Sequence, residues 1–186
     1  MSKILRKTEF GNAILRTVAQ LLSDKEILSA QIQDLIESMY YTLEHRKYGV
    51  GIAAPQVGRS VAISTIDTKP TPTRPDLVRQ KLTIINPKII KFYGQKSEEW
   101  EGCISGAELY AKVPRYKKVR LKWQDEQAQV HEQDFDGFLA HVIQHEVDHL
   151  NGILFIDKVK DTKSYKTYKE YRKMRKHEQK GSSVER

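Results

Sequence analysis

A single cysteine, Cys103, is all the thiol chemistry this 186-residue chain holds. No internal disulfide can form, which suits a reducing cytosol. The lone sulfur is then either a small buried hydrophobe or a thiolate that reacts or binds metal. Long apolar runs are missing too, and none approaches membrane-spanning length. Residues 1–30 mix Lys3, Arg6, Lys7, Glu9 and Asp24 with short apolar pairs, unlike a signal peptide. Prolines number six, and three of them (Pro70, Pro72, Pro75) crowd one stretch. There is no internal repeat and no sign of a second domain. A hydrophobic fraction of 39% is modest but still globular, and the length suffices for one domain with a sizeable core.

Positive charge is present but unevenly placed. Of the net +8, a balance of +7 lies between Lys158 and Lys180, where ten Lys/Arg face three acids. Residues 1–157 carry only +1. The body is nearly neutral and the tail is basic, so a general affinity for nucleic acid is not indicated, and only the tail leaves room for a localised one.

Periodicity predicts helices near 12–22 and near 26–46. In the second, Ile27, Leu28, Ile32, Leu35, Ile36, Met39 and Leu43 recur at helical spacing, with Ser23 or Asp24 as the cap. Val61–Ile66 reads as a strand and the proline-bearing Asp67–Asp76 as a loop. Leu82–Phe92 is β-rich around Asn86-Pro87. Lys118–Trp123 and Gln129–Phe135 alternate about a polar turn and predict a hairpin. A helix is expected from about 138 to 150, stopped by Gly152, and a last one over Lys163–Lys180. Residues 181–186 read as a disordered tail. Segregated strands and helices make the class α+β.

The chemistry concentrates in His145-Glu146-Val147-Asp148-His149. Two imidazoles four residues apart on a helix share a face, about 6 Å apart at Cβ, so both can bind one metal ion. The glutamate between them sits beside the metal without having to ligate it, placed to shuttle protons for an activated water. A catalytic metal usually takes three protein ligands. A third histidine six residues on is excluded, because Phe155 stands there. Glu170 is available but lies inside the basic tail. Cys103 is the other candidate, and a thiolate with two imidazoles is a strong divalent set.

The neighbours of Cys103 resemble those of the peptide deformylases. Gly49-Val50-Gly51-Ile52-Ala53-Ala54-Pro55-Gln56, Glu101-Gly102-Cys103-Ile104-Ser105 and Gln144-His145-Glu146-Val147-Asp148-His149-Leu150 are similar to that family's three signatures, in the same order. The resemblance spans about Leu5 to Asp157. It implies antiparallel strands packed around a central helix carrying the histidine pair, with a C-terminal helix. The implied layout is a catalytic domain over 1–160, a basic helix over 161–180 and a tail over 181–186. It further implies removal of the N-terminal formyl group from new polypeptides.

By the same resemblance, Cys103, His145 and His149 hold one divalent metal. Fe2+ is the expected physiological ion, with Zn2+ or Ni2+ able to replace it. Glu146 is the proton carrier. Gln56 and the Ile104 backbone N–H face the developing oxyanion. Gly51 pairs with an extended peptide, and Val50, Ile104 and Val142 are candidates for an apolar methionine pocket. Glu101 and Arg115 form a structural ion pair. The expected partners are N-formylmethionyl nascent peptides, met by a monomer in the bacterial cytoplasm without a membrane.

The chain departs from the family in two places. Gly106-Ala107 replace an aliphatic residue and a proline, which predicts a less bulky, more flexible segment beside Cys103. His141 stands one turn before His145, as a pocket-edge or hydrogen-bonded histidine. In the tail, Tyr165, Tyr168, Tyr171 and Met174 recur among lysines. A helix resting its tyrosines on the domain explains the stripe, and docking to the ribosome is the functional alternative. Two other functions stand beside the main one: a zinc endopeptidase using Glu170, and a catalytically weak ribosome-binding relative.

Overall fold

The computed structural model describes residues 2–46, 49–70 and 77–182. Five strands form an antiparallel meander: β1 (Gly51–Ala53), β2 (Ile63–Thr68), β3 (Gln80–Gly102), β4 (Leu109–Gln124) and β5 (Val130–Asp136). A two-residue strand, β6 (Lys166–Thr167), adds to β4 against Leu109 and Tyr110. The helices are α1 (Asp24–Ile27), α2 (Ala30–Glu44), α3 (Gly137–Leu150) and α4 (Tyr168–Ser182). The architecture is α+β, with the strands packed around α3.

The expected long helix over 26–46 is broken in two. Ser23 caps α1 in a capping box with Glu26, and Ser29 then caps α2 by accepting from the Ile32 N–H. Within α2, Ile32, Ile36, Met39 and Leu43 line one buried stripe against Ile52, Ile63 and Ile85. The expected helix over 12–22 is only a 3-10 turn, Ala13–Arg16. Beyond it the chain is extended, because its backbone groups have better partners elsewhere. Ala19 donates to the Leu150 carbonyl at the end of α3, and Gln20 to that of Ser60.

Asp67 and Thr68, expected in a loop, continue β2 instead. Lys69 and Pro70 lie outside any strand, as expected, and 71–76 lie outside the described residues. The β-rich stretch extends to Gly102 as one long strand with three irregularities of register, the first at Asn86-Pro87. The hairpin runs from Lys118↔Asp136 to Gln124↔Val130.

Helix α3 is buried on nearly every side, through Ala140, Val142, Ile143, Glu146, Val147 and Leu150 among others. Its core cluster joins Val119, Leu121, Trp123 and Phe135 of the sheet. The last helix starts at Tyr168 rather than Lys163, after a 3-10 turn at Thr162–Ser164 and β6. Gly181 and Ser182 belong to it and not to a tail, while 183–186 lie outside the described residues. Among the described residues no helix is long and apolar enough to cross a membrane.

Candidate metal centre

The end of β3 and the C-terminal half of α3 meet at three donor atoms. Cys103, His145 and His149 each offer one, all within 4.8 Å of one another. The Cys103 Sγ lies 3.2 Å from His149 Nε2, which lies 3.2 Å from His145 Nε2. Sulfur and two imidazole nitrogens at such spacing suit a borderline divalent cation. Glu170 is elsewhere, exposed on α4 and paired with Lys173 at 2.8 Å.

The ligand set is oriented from behind. Glu101 Oε2 takes His145 Nδ1 at 2.8 Å, which leaves Nε2 for the cluster. Arg115 donates to both Glu101 oxygens, at 2.6 and 3.0 Å, in a bidentate pair. His141 Nε2 adds a fourth contact at 3.0 Å, so it braces Glu101 and stands outside the donor cluster. Burial opposes a charge on Glu101. The His141, His145 and Arg115 donors outweigh it and hold the carboxyl well below the usual range. Asp148 is no solvent-facing residue. Arg115 donates to one of its oxygens and Lys158 to the other, the latter at 2.7 Å. Its position in the motif carried no signal of that network.

Burial also acts on α3 itself. It lowers His149 well below the usual histidine value and pushes the Glu146 carboxyl up to about 7. For His145 burial works downward, yet Cys103 and Glu101 outweigh it and raise the ring well above its ordinary value. Glu146 Oε2, on the same helix as the two histidines, is buried without a protein hydrogen bond. The donor set and this orphaned oxygen fit a metal with a polar substrate, and fit a plain apolar core badly.

The first glycine-rich segment closes the site from the other side. Gly49 has φ +99°, and a Cβ there would sit 3.3 Å from the Ile104 side chain. Gly51 lies against Glu146, where a Cβ would come within 2.8 Å of the carboxyl carbon. Gln56 is buried. Its Oε1 accepts from the Ala53 N–H at 2.8 Å, which fixes which amide atom is oxygen. Its NH2 therefore points at Cys103 Sγ (3.2 Å) and Ser105 Oγ (3.3 Å). Val50 and Val142 share the cluster under α3, and Ile104 packs against the α2 cluster.

The Gly106-Ala107 departure forms a tight turn. Gly106 N donates to the Cys103 carbonyl at 2.9 Å, and Ala107 and Glu108 take φ of 49° and 60°. A Cβ on Gly106 would stand 3.2 Å from both Phe10 and Phe155. The space that a bulkier residue would need is thus filled by two aromatic rings, one of them fully buried. Phe10 reaches that place because its N–H bonds the Ser105 carbonyl at 3.0 Å.

Fold and centre together define a class: α+β proteins whose central His-Glu-x-x-His helix meets a cysteine at the end of a sheet strand. The polypeptide deformylase family model matches residues 4–165, and the chain belongs to that family. A peptide deformylase of Leptospira biflexa is 36% identical over 167 residues, covering 88% of this chain and 90% of that protein. Among solved structures, the Met-Ala-Ser-bound class I type b peptide deformylase of Acinetobacter baumannii superposes with TM-score 0.81. It is 36% identical and covers 86% of this chain and 100% of that one. The enzyme of Thermotoga maritima gives 0.75 at 31% identity, covering 86% and 99%.

Proposed function

We propose that this chain is a working peptide deformylase, an amide hydrolase that frees formate from the N-terminal formyl-methionine of new polypeptides. The observation that carries the reading is the convergence of Cys103, His145 and His149, with a buried, partnerless Glu146 oxygen on the same helix. Those three residues would hold a divalent ion, which would supply Lewis acidity and make the attacking water acidic enough to ionise near neutral pH. Fe2+ is the physiological ion in this reading, and Zn2+ or Ni2+ substitute for it.

The chain's own groups do the rest. Glu146 accepts the proton of the attacking water and passes it to the leaving amine. The Gln56 NH2, fixed by the Ala53 bond, and the Ile104 backbone N–H receive the charge that grows on the formyl oxygen. One such donor is worth about 3 kcal/mol of barrier. Gly51 gives the extended peptide a strand partner, and Val50 and Val142 line the methionine side-chain pocket. Glu101 and Arg115 hold His145 in the ligating tautomer. The setting is the cytoplasm of a bacterium, the enzyme is a monomer, and the lysine-bearing side of α4 meets the ribosome.

Anaerobic purification with metal analysis, followed by formate release from formyl-Met-Ala-Ser, tests the reading. Glu146→Ala should keep the metal and lose activity, and Cys103→Ala should lose the metal. A metal-loaded parent protein that releases no formate removes the proposal. Ribosome association should weaken steeply with salt and on Lys169→Glu/Arg172→Glu substitution. Unchanged pelleting with ribosomes disposes of that part alone.

A further inference from the structure

The C-terminal helix is seated on β4 and β6 and reaches Trp100 of β3, the strand that leads to the cysteine. Along β3, Glu101 turns inward to Arg115 and His145, so its neighbours Trp100 and Gly102 face outward. Their partners across the ladder are Lys112 and Tyr110. The Tyr110 ring lies directly on Gly102, since a Cβ there would come within 2.6–2.9 Å of three of its atoms. Tyr171 of α4 stacks on the same ring, with centroids 4.3 Å apart and planes 7° from parallel. Tyr171 also touches Trp100 at 5.4 Å, and Tyr168 touches Tyr110 at 5.8 Å. The main chain pins this arrangement. Besides the β6 pairing, the Tyr168 N–H donates to the Glu108 carbonyl at 2.8 Å.

Contact thus runs from the Gly102 backbone to the Tyr110 ring and from that ring to Tyr171. The residues on either side of Gly102 are Glu101, which orients one histidine, and Cys103, which supplies the sulfur. Only a residue without a side chain lets the ring approach so closely. We infer that Tyr171 is a positioning residue: through Tyr110 and Gly102 it holds Glu101 and Cys103 in register with the histidines of α3. The inference rests on the metal centre proposed above and assigns part of its geometry to a helix outside it. A load on α4, such as a partner on its lysine-bearing side, then reaches the donor set through two rings.

The test compares full-length parent, Tyr171→Ala and Tyr171→Phe, each reconstituted with cobalt(II). Cobalt affinity is read by chelator competition and the sulfur contact by the thiolate-to-cobalt absorption band. In Tyr171→Ala, affinity should fall about tenfold, the scale seen when a group supporting a ligand is removed. The band should shift, and kcat on formyl-Met-Ala-Ser should drop with KM little changed. Tyr171→Phe, which keeps the flat ring, should match the parent. Should the alanine variant fail to fold, Tyr171→Leu, which keeps apolar cover without a flat ring, is read in the same way. Parental affinity, band and kcat in Tyr171→Ala overturn the inference, as does a phenylalanine variant as weak as the alanine one. A parent protein that takes up no cobalt would instead remove the metal centre itself.

Discussion

Gly51 and Glu146 compete for one space. A methyl group on Gly51 would sit 2.8 Å from the Glu146 carboxyl carbon and closer still to one of its oxygens. The glycine therefore serves the carboxylate as well as the peptide proposed to lie along β1. Gly51→Ala should push the carboxyl aside and leave the backbone in place, since the clash falls on the far end of a flexible side chain. The expected result is a fall in kcat on the order of 100-fold, the scale of a misplacement of about 1 Å. Metal content and melting temperature should stay near the parent's. Kinetics beside metal analysis checks this; a fully active alanine variant would show that Glu146 has room to spare.

Arg115 ties β4 to two buried acids, Glu101 and Asp148, and is itself 3% exposed. Replacing it with methionine keeps the bulk and leaves both carboxylates short of a cation. Removing one partner from a buried pair costs about 3–5 kcal/mol. The remaining donors soften that here, because His141 and His145 still reach Glu101, and Lys158 still reaches Asp148. A loss near the lower end of that range is expected from urea unfolding of Arg115→Met. Arg115→Lys should recover only part of it, since an ammonium cannot replace the two-pronged contact. Equal stability of parent and methionine variant would refute this account.

The metal-ligand candidates were legible because their information is local. A pair of histidines four apart and a glutamate between them state their geometry as soon as a helix is granted. Cys103 was legible by its neighbours, and Glu101 with Arg115 only through the resemblance. His141 was legible as a hydrogen-bonded histidine, though not with Glu101 as its partner, and Asp148 was not legible, because hydrogen bonding to a strand far away in sequence leaves no periodic mark. The same holds for the fold. Helix α3 and the β4–β5 hairpin follow from their apolar spacing. The 12–22 segment misleads because Leu15, Ala19 and Leu22 are buried at helical spacing while Val18 and Leu21 are exposed. Its backbone is instead claimed by Leu150 and Ser60. A two-residue strand such as β6 has no period to read, and the placement of Tyr171 depends on it.

Acid should find a weak point at Asp67. Its side chain is 1% exposed and receives two bonds from Arg79, at 2.9 and 2.7 Å. The Arg79 hydrogen bonds lower its pKa, and the charges of Arg79, Lys81 and Lys69 add to this against the opposing effect of burial. The folded chain thus binds this proton less readily than the unfolded one. The contribution to stability is complete above the ordinary carboxylate value of about 4 and is lost as pH falls through the lower folded value. Asp67→Asn should flatten the acid limb of stability against pH and leave the shape near neutrality unchanged. Because Arg79 is half exposed, added salt should shrink the difference. Parallel curves for parent and variant below about pH 4 would exclude this role.

Gly152 ends α3 at the point where the N-terminal segment crosses it. Its φ is +71°, and a Cβ would stand 2.6 Å from the Arg16 carbonyl oxygen and 2.7 Å from that carbonyl carbon. Both obstacles are backbone, so neither rotates away as the Glu146 carboxyl can. The segment cannot simply retreat either. Ala19 is bonded to the Leu150 carbonyl, and Arg16 is paired with Asp157. Gly152→Ala should therefore cost more than the left-handed conformation alone, which is about 1 kcal/mol for a non-glycine residue. A loss of about 2–4 kcal/mol is expected, the range of backbone strain combined with overpacking. Gly58, also at positive φ (+77°) but with its nearest side-chain atom 4.0 Å away, is the internal control. If Gly58→Ala and Gly152→Ala destabilise equally in urea, the crossing at Arg16 contributes nothing, and the helix terminus alone accounts for the glycine.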